Sequence, residues 1–94
     1  MQRKKRVVSI KNKVLVKLIV PEIDQSFYIY FPINKKIGNI INLLNKNISE
    51  ITNGELEESN SNSLYNIETN EKYQSDVLLI NTSIRNGSKL VLLS

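Results

Sequence analysis

The sequence predicts an α+β domain in which a mixed sheet of four to five strands packs on one main helix, and three patterns in its 94 residues carry that prediction. Two strand-like runs flank a proline turn at Pro21. A single stripe of Ile and Leu at helical spacing follows from Ile37. The last third, Ser63 to Ser94, then reads as a hairpin, a short helical turn and an apolar strand. Each element has one apolar face, and a sheet face and a helix stripe of this kind are stable only when they cover one another.

The first strand is expected from Lys13, in the run VLVKLIV. Its β-branched residues suit a pleated surface, with Val14, Val16, Leu18 and Val20 on one face and Leu15, Lys17 and Ile19 on the other. Pro21 cannot donate to a sheet ladder and Glu22 to Gln25 are polar, so the chain turns there. Phe27, Ile29 and Phe31 then alternate with Tyr28 and Tyr30, the period of a half-buried strand whose tyrosines face outward. Pro32 stops that strand, and Asn34 is the expected helix N-cap. Ile37, Ile40, Ile41, Leu44, Ile48 and Ile51 follow the i, i+3, i+4, i+7 rule, leaving Asn39, Asn42 and Lys46 wet and Leu43 off the stripe. Ile and Asn are mediocre helix formers, so burial of the stripe must hold this helix together. Asn53 and Gly54 supply its stop.

Residues 55–62, ELEESNSN, are acidic and aperiodic and read as a mobile loop within a domain spanning 13–94. Leu64, Tyr65 and Ile67 begin a strand, Thr69, Asn70 and Glu71 turn, and Tyr73 returns. Parity leaves the inward face of this strand open, since Tyr65 and Ile67 share one side and Leu64 and Asn66 the other. Asp76 is placed to cap a turn through Val77, Leu78 and Ile80. Asn86 and Gly87 make a tight turn into a final strand with Leu90 and Leu92 inward and Val91 and Leu93 outward.

Composition narrows the function. A domain of this size buries only about 60–65% of the surface of its unfolded chain, and with neither Cys nor His it has no disulfide, no thiolate or imidazole metal ligand and no imidazole base. The apolar run Val7-Val8-Ser9-Ile10 breaks at Lys11, short of the roughly 7–15 residues of a signal-peptide core. No stretch approaches the ~20 apolar residues of a spanning helix. The expected location is the cytoplasm, with a peripheral position at the inner face of the membrane as the alternative. Charge is uneven: residues 1–13 hold Arg3, Lys4, Lys5, Arg6, Lys11 and Lys13 and no acid, a charge of +6, whereas residues 14–94 hold seven basic and nine acidic residues, a charge of −2.

Catalysis lacks material. Glu57 and Glu58 are adjacent in the acidic loop, where solvation is their default role, and with Glu55 they lack the fixed geometry that hard cations require. Gly38, Gly54 and Gly87 are too scattered for a phosphate loop. No catalytic residue, metal, cofactor or small-molecule substrate is expected. The outward sheet face is the candidate site: Leu15, Ile19, Tyr28, Tyr30, Val91 and Leu93 can combine into a partner-binding patch, Tyr being suited to interfaces by its rigid ring and single hydroxyl. The plainer reading is that both tyrosines serve strand propensity and that Lys17 and Lys89 interrupt the patch. Leu43 is a lesser candidate. The basic arm, residues 1–12, reads either as a solvated tail or as a contact for an acidic protein, RNA or anionic membrane.

The element order resembles the ubiquitin-like β-grasp superfamily across residues 14–94. Within it, the ending Ser83-Ile84-Arg85-Asn86-Gly87-Ser88-Lys89-Leu90 is similar to that of the YukD/EsaB-type ubiquitin-like proteins of Gram-positive type VII secretion. That resemblance implies a small, non-enzymatic accessory protein that binds a protein partner, a membrane component of a secretion system among the candidates. The absence of Ala beside thirteen Ile and thirteen Asn is the codon bias of an AT-rich genome and compatible with a low-GC Firmicute. The chain departs from that family in its basic arm and acidic loop. Modifiers and sulfur carriers of the same fold present a terminal Gly-Gly where this sequence has Leu92-Leu93-Ser94, so conjugation is not expected. The ferredoxin branch requires four thiolates. A homodimer through an uncovered final strand is the remaining expectation.

Overall fold

The computed structural model describes residues 12–54 and 62–93; the basic arm through Lys11, the acidic loop at 55–61 and Ser94 lie outside the described residues. Strand β1 (Lys13–Val20) leads through a 3-10 turn at Pro21–Ile23 into β2 (Gln25–Pro32). Asp24, at φ 53°, reverses the chain between them. Helix α1 (Ile37–Ile51) follows, then β3 (Ser63–Asn66), a 3-10 turn at Leu79–Asn81 and β4 (Lys89–Leu93). The four strands form one mixed sheet in the order β2-β1-β4-β3. β1 and β2 are antiparallel, β1 and β4 parallel, and β3 and β4 antiparallel.

One face of the sheet and one stripe of the helix make the core. Val16, Leu18, Val20, Phe31, Leu64, Leu90 and Leu92 meet Ile37, Ile40, Ile41, Leu44 and Ile48, with Tyr73, Leu79 and Ile84 completing the cluster. Strand alternation and helical spacing thus select the core-facing positions of β1, β2, β4 and α1 that the sequence predicts, with Val14, Phe27 and Ile29 only partly buried, and with two differences on the helix. Burial stops at Ile48, so Ile51 in the final turn is 67% exposed, and Asn45 is buried in its place among the stripe residues. Asn45 accepts a hydrogen bond from Asn62 Nδ2. That bond draws Asn62, grouped by composition with the acidic loop, into the buried set.

Both predicted side-chain caps give way to backbone contacts. The N-cap position of α1 is Lys36, not Asn34, and no side chain bonds there. Instead the amides of Ile37 and Gly38 donate to the carbonyls of Val77 and Ser75, both at 2.9 Å. Gly38 permits this approach, since a Cβ there would lie 3.1 Å from the Ser75 carbonyl oxygen. Likewise Asp76 caps nothing: the 3-10 turn begins later, with Leu78 at its N-cap. Leu79 N donates to Lys35 O at 2.9 Å and Ile80 N to Ile33 O at 3.0 Å, which pins the segment to the β2–α1 loop. Orphan helix amides need partners, and here a segment some forty residues downstream supplies them.

The hairpin expected from Ser63 to Tyr73 closes with one isolated bridge, Tyr65 to Lys72, so the sheet keeps four strands among the described residues. Leu64 and Asn66 face inward and Tyr65 outward, which settles the parity. A polar residue can hold an inward position here because both of its polar side-chain atoms are hydrogen-bonded. Asn66 Oδ1 accepts from Glu68 N at 2.9 Å and Thr69 N at 3.2 Å, and its Nδ2 donates to Tyr73 Oη at 3.0 Å. The chain of bonds continues from Tyr73 Oη to Ser83 Oγ at 2.8 Å and on to Glu71 Oε1 at 2.9 Å. Asn66→Ala is expected to cost about 2 kcal/mol, since it strips the turn of its acceptor and Tyr73 of one partner. Tyr73→Phe should cost about 1 kcal/mol, because it breaks only the second half of the network. Urea unfolding of both variants checks the ranking, and equal costs would mean that the turn bonds contribute nothing.

Candidate functional site

The outward sheet face is built by alternation alone, since the residues opposite the core positions on each strand point the other way. β2 contributes Ser26, Tyr28 and Tyr30; β1 contributes Lys13, Leu15, Lys17 and Ile19; β4 contributes Lys89, Val91 and Leu93; β3 contributes Ser63 and Tyr65. The strand registers arrange these into rows. Tyr30 stands beside Leu15. The next row runs Tyr28, Lys17, Lys89, and the next Ser26, Ile19, Val91, Tyr65, while Leu93 pairs with Ser63 beyond it. All six residues singled out by the sequence therefore share one face. Tyr28 is 75% exposed and Tyr30 46% exposed, whereas Leu15, Ile19 and Val91 are half-buried. Tyr65 joins them, a residue missed because strand β3 had no readable parity.

Two features beside this face shape it. The Asn86-Gly87 turn grips the start of β1 from both sides: Leu15 N donates to Asn86 Oδ1 at 2.7 Å, and Gly87 N donates to Leu15 O at 2.8 Å. Gly87 takes φ 90°, a conformation open chiefly to glycine. A depression of about 240 Å³ opens beside the turn, lined by Leu15, Val16, Lys17, Tyr28, Gly87 and Lys89. A second, of about 400 Å³, lies toward the β1–β2 turn and is lined by Lys17, Ile19, Pro21, Asp24, Gln25 and Ser26.

The final strand is not uncovered. β4 lies between β1 and β3, so among the described residues the edge strands are β2 and β3, and the expected pairing of two copies through β4 is ruled out by its two neighbours. The parallel β1/β4 ladder that fills its first edge is a long-range contact invisible to local pattern. Leu43 is 51% exposed on the far side of α1, remote from the sheet face in the layer order. Of the basic arm only Lys13 is described, exposed at the start of β1. Arg3, Lys4, Lys5, Arg6 and Lys11 fall outside the described residues, as do Glu55, Glu57 and Glu58. Among the described residues no group of three Asp, Glu, His or Cys is placed to hold a metal ion. No helix among them is long and apolar enough to cross a membrane.

Solved structures share this architecture. The ubiquitin-like domain of the Mycobacterium tuberculosis type VII secretion system protein EccD1 matches with a TM-score of 0.65 at 14% identity, over 87% of this chain and 98% of that one. The fold is ubiquitin-like. A chain from a structure concerned with molecular mimicry of SUMO in DNA repair matches this ubiquitin-like domain with a TM-score of 0.67 at 9% identity, over 92% of this chain and 96% of that one. A chain of the MycP5-free ESX-5 inner membrane complex matches with a TM-score of 0.64 at 14% identity, over 87% of this chain. There the ubiquitin-like domain spans 21% of the chain it matches. At these identities the likeness is one of fold. No protein-family model matches the sequence, and no curated protein matches it.

Proposed function

We propose that the chain is a non-enzymatic, non-conjugated protein-binding module that docks its outward sheet face on a larger protein, as an accessory or regulator of type VII secretion. The observation that carries this reading is the single face on which Leu15, Ile19, Tyr28, Tyr30, Val91 and Leu93 come together with Tyr65. Large rings standing among half-buried aliphatics are the composition that interface cores favour. The likeness in fold to the EccD1 domain and to part of the ESX-5 inner membrane complex supports the secretion setting. Within it we place the chain with the YukD/EsaB-type proteins, in the cytoplasm or peripheral to the inner face of the membrane.

The +6 charge of residues 1–13 favours a second reading, a small basic protein that binds RNA or anionic membrane through its arm. Salt separates the two. An apolar interface survives about 0.5 M salt, whereas phosphate contacts weaken linearly in log salt. The test is capture of partners from the native lysate by the intact chain and by one lacking residues 2–11, at low salt and at about 0.5 M salt. A protein retained at high salt by both forms is the expected result. Nucleic acid or lipid recovered only at low salt and only by the intact chain would move the function to the arm.

A further inference from the structure

Lys17 and Lys89 are register neighbours on the parallel β1/β4 pair, and both leave the sheet on its outward side. Like charges at one level of adjacent strands repel each other and work against the folded sheet. A carboxylate set between the two ammonium groups turns that repulsion into charge-assisted hydrogen bonds. Room for it exists, because the depression of about 240 Å³ is lined by both lysines and by Tyr28, and its Gly87 end is open, with no atom within 4 Å of where a Cβ would stand.

The face also states what should flank that carboxylate. Along β1 the outward residues run Lys13, Leu15, Lys17, Ile19, and along β4 they run Lys89, Val91, Leu93. Apolar positions therefore lie two residues to either side of the lysine row on β1. An extended peptide repeats its same-side groups at the same two-residue step, about 6.6–6.8 Å. Lys13 adds a third cation, and no strand contributes a carboxylate to this face among the described residues. Asp24 lines the neighbouring depression toward the β1–β2 turn. The other described acids sit in the β1–β2 turn, at the end of α1 and in the β3–β4 connection.

We propose that this face receives an extended acidic segment of a protein partner, patterned aliphatic-x-acid-x-aliphatic, with its carboxylate between Lys17 and Lys89. This rests on the sheet-face reading and narrows the partner it takes. The probe is a library of random peptides displayed on phage and selected on the intact chain, with the selected peptides then synthesised and titrated. They should carry Asp or Glu two positions from an aliphatic residue. Lys17→Gln with Lys89→Gln should weaken them about tenfold, the effect of two partly exposed charge contacts. The same variant should unfold at an unchanged or higher urea midpoint, so the loss is not one of folding. Peptides that lack an acid, or that ignore the lysine substitutions but are lost on Tyr28→Ala with Tyr30→Ala, would overturn the acidic partner and keep the sheet face. Peptides indifferent to both sets of substitutions would overturn both. An empty selection, with a lysate protein still captured through the two tyrosines, would also overturn the proposal, because a linear segment is what it requires.

Discussion

Leu18→Ala is expected to cost about 3–4 kcal/mol, the middle of the range for a buried Leu→Ala replacement. Leu18 is fully buried, on an interior strand, with Phe27 of β2 and Leu90 of β4 as its register neighbours. Both neighbours are tied into ladders and cannot collapse into the space left behind, so the cavity term is retained along with the lost transfer energy. For a chain this short, total stability is on the order of 5–14 kcal/mol, so the loss is a large share of it. The expected drop in Tm is about 4–8 °C per kcal/mol. Urea unfolding should show a lower midpoint at an unchanged slope. Leu43→Ala, on the exposed side of α1, should stay within about 0.5 kcal/mol, and a Leu18 variant behaving like the Leu43 one would refute this account of the core.

The second large effect is on binding. Tyr28→Ala with Tyr30→Ala should weaken the captured partner about 100-fold or more, the equivalent of roughly 2.7 kcal/mol, since truncated aromatic anchors commonly cost 2 kcal/mol or more each and are not additive. Folding should survive. Both rings point away from the core, and the loss of strand propensity is at most about 1 kcal/mol per site. Calorimetric titration against the purified partner gives the first number and thermal unfolding the second. A partner that binds the double variant as tightly as the parent would remove the outward face from the mechanism.

Both effects fall on positions whose faces can be read from the sequence. The apolar positions of β1, β2, β4 and α1 can be assigned from period alone, because a strand that must bury one face alternates and a helix that must do so repeats every three to four residues. Leu18, Phe31, Ile40 and Leu90 are core residues on that ground. Tyr28 and Tyr30 are outward by the same logic, which is why the candidate face could be named before its geometry was known. Period fails in β3, where four residues hold too few alternations to fix a parity and the inward Asn66 breaks the apolar rule. It fails for the caps as well. Asn34 and Asp76 are good capping residues by chemistry, but the carbonyls of Val77 and Ser75 take the first amides of α1 and the 3-10 turn starts past Asp76, with Leu78 at its N-cap.

Sequence by itself thus determined the α+β class, the order of the elements, the faces of β1, β2, β4 and α1, and the charge divide between residues 1–13 and the rest. All of these are local properties, written in the spacing and type of neighbouring residues. Tertiary structure alone decided that β4 slots between β1 and β3, that Lys17 and Lys89 stand side by side, and that Tyr65 completes the outward face. Those are pairings between residues far apart in the chain, chosen by which register buries the most apolar surface, and no local pattern encodes a partner that has yet to arrive.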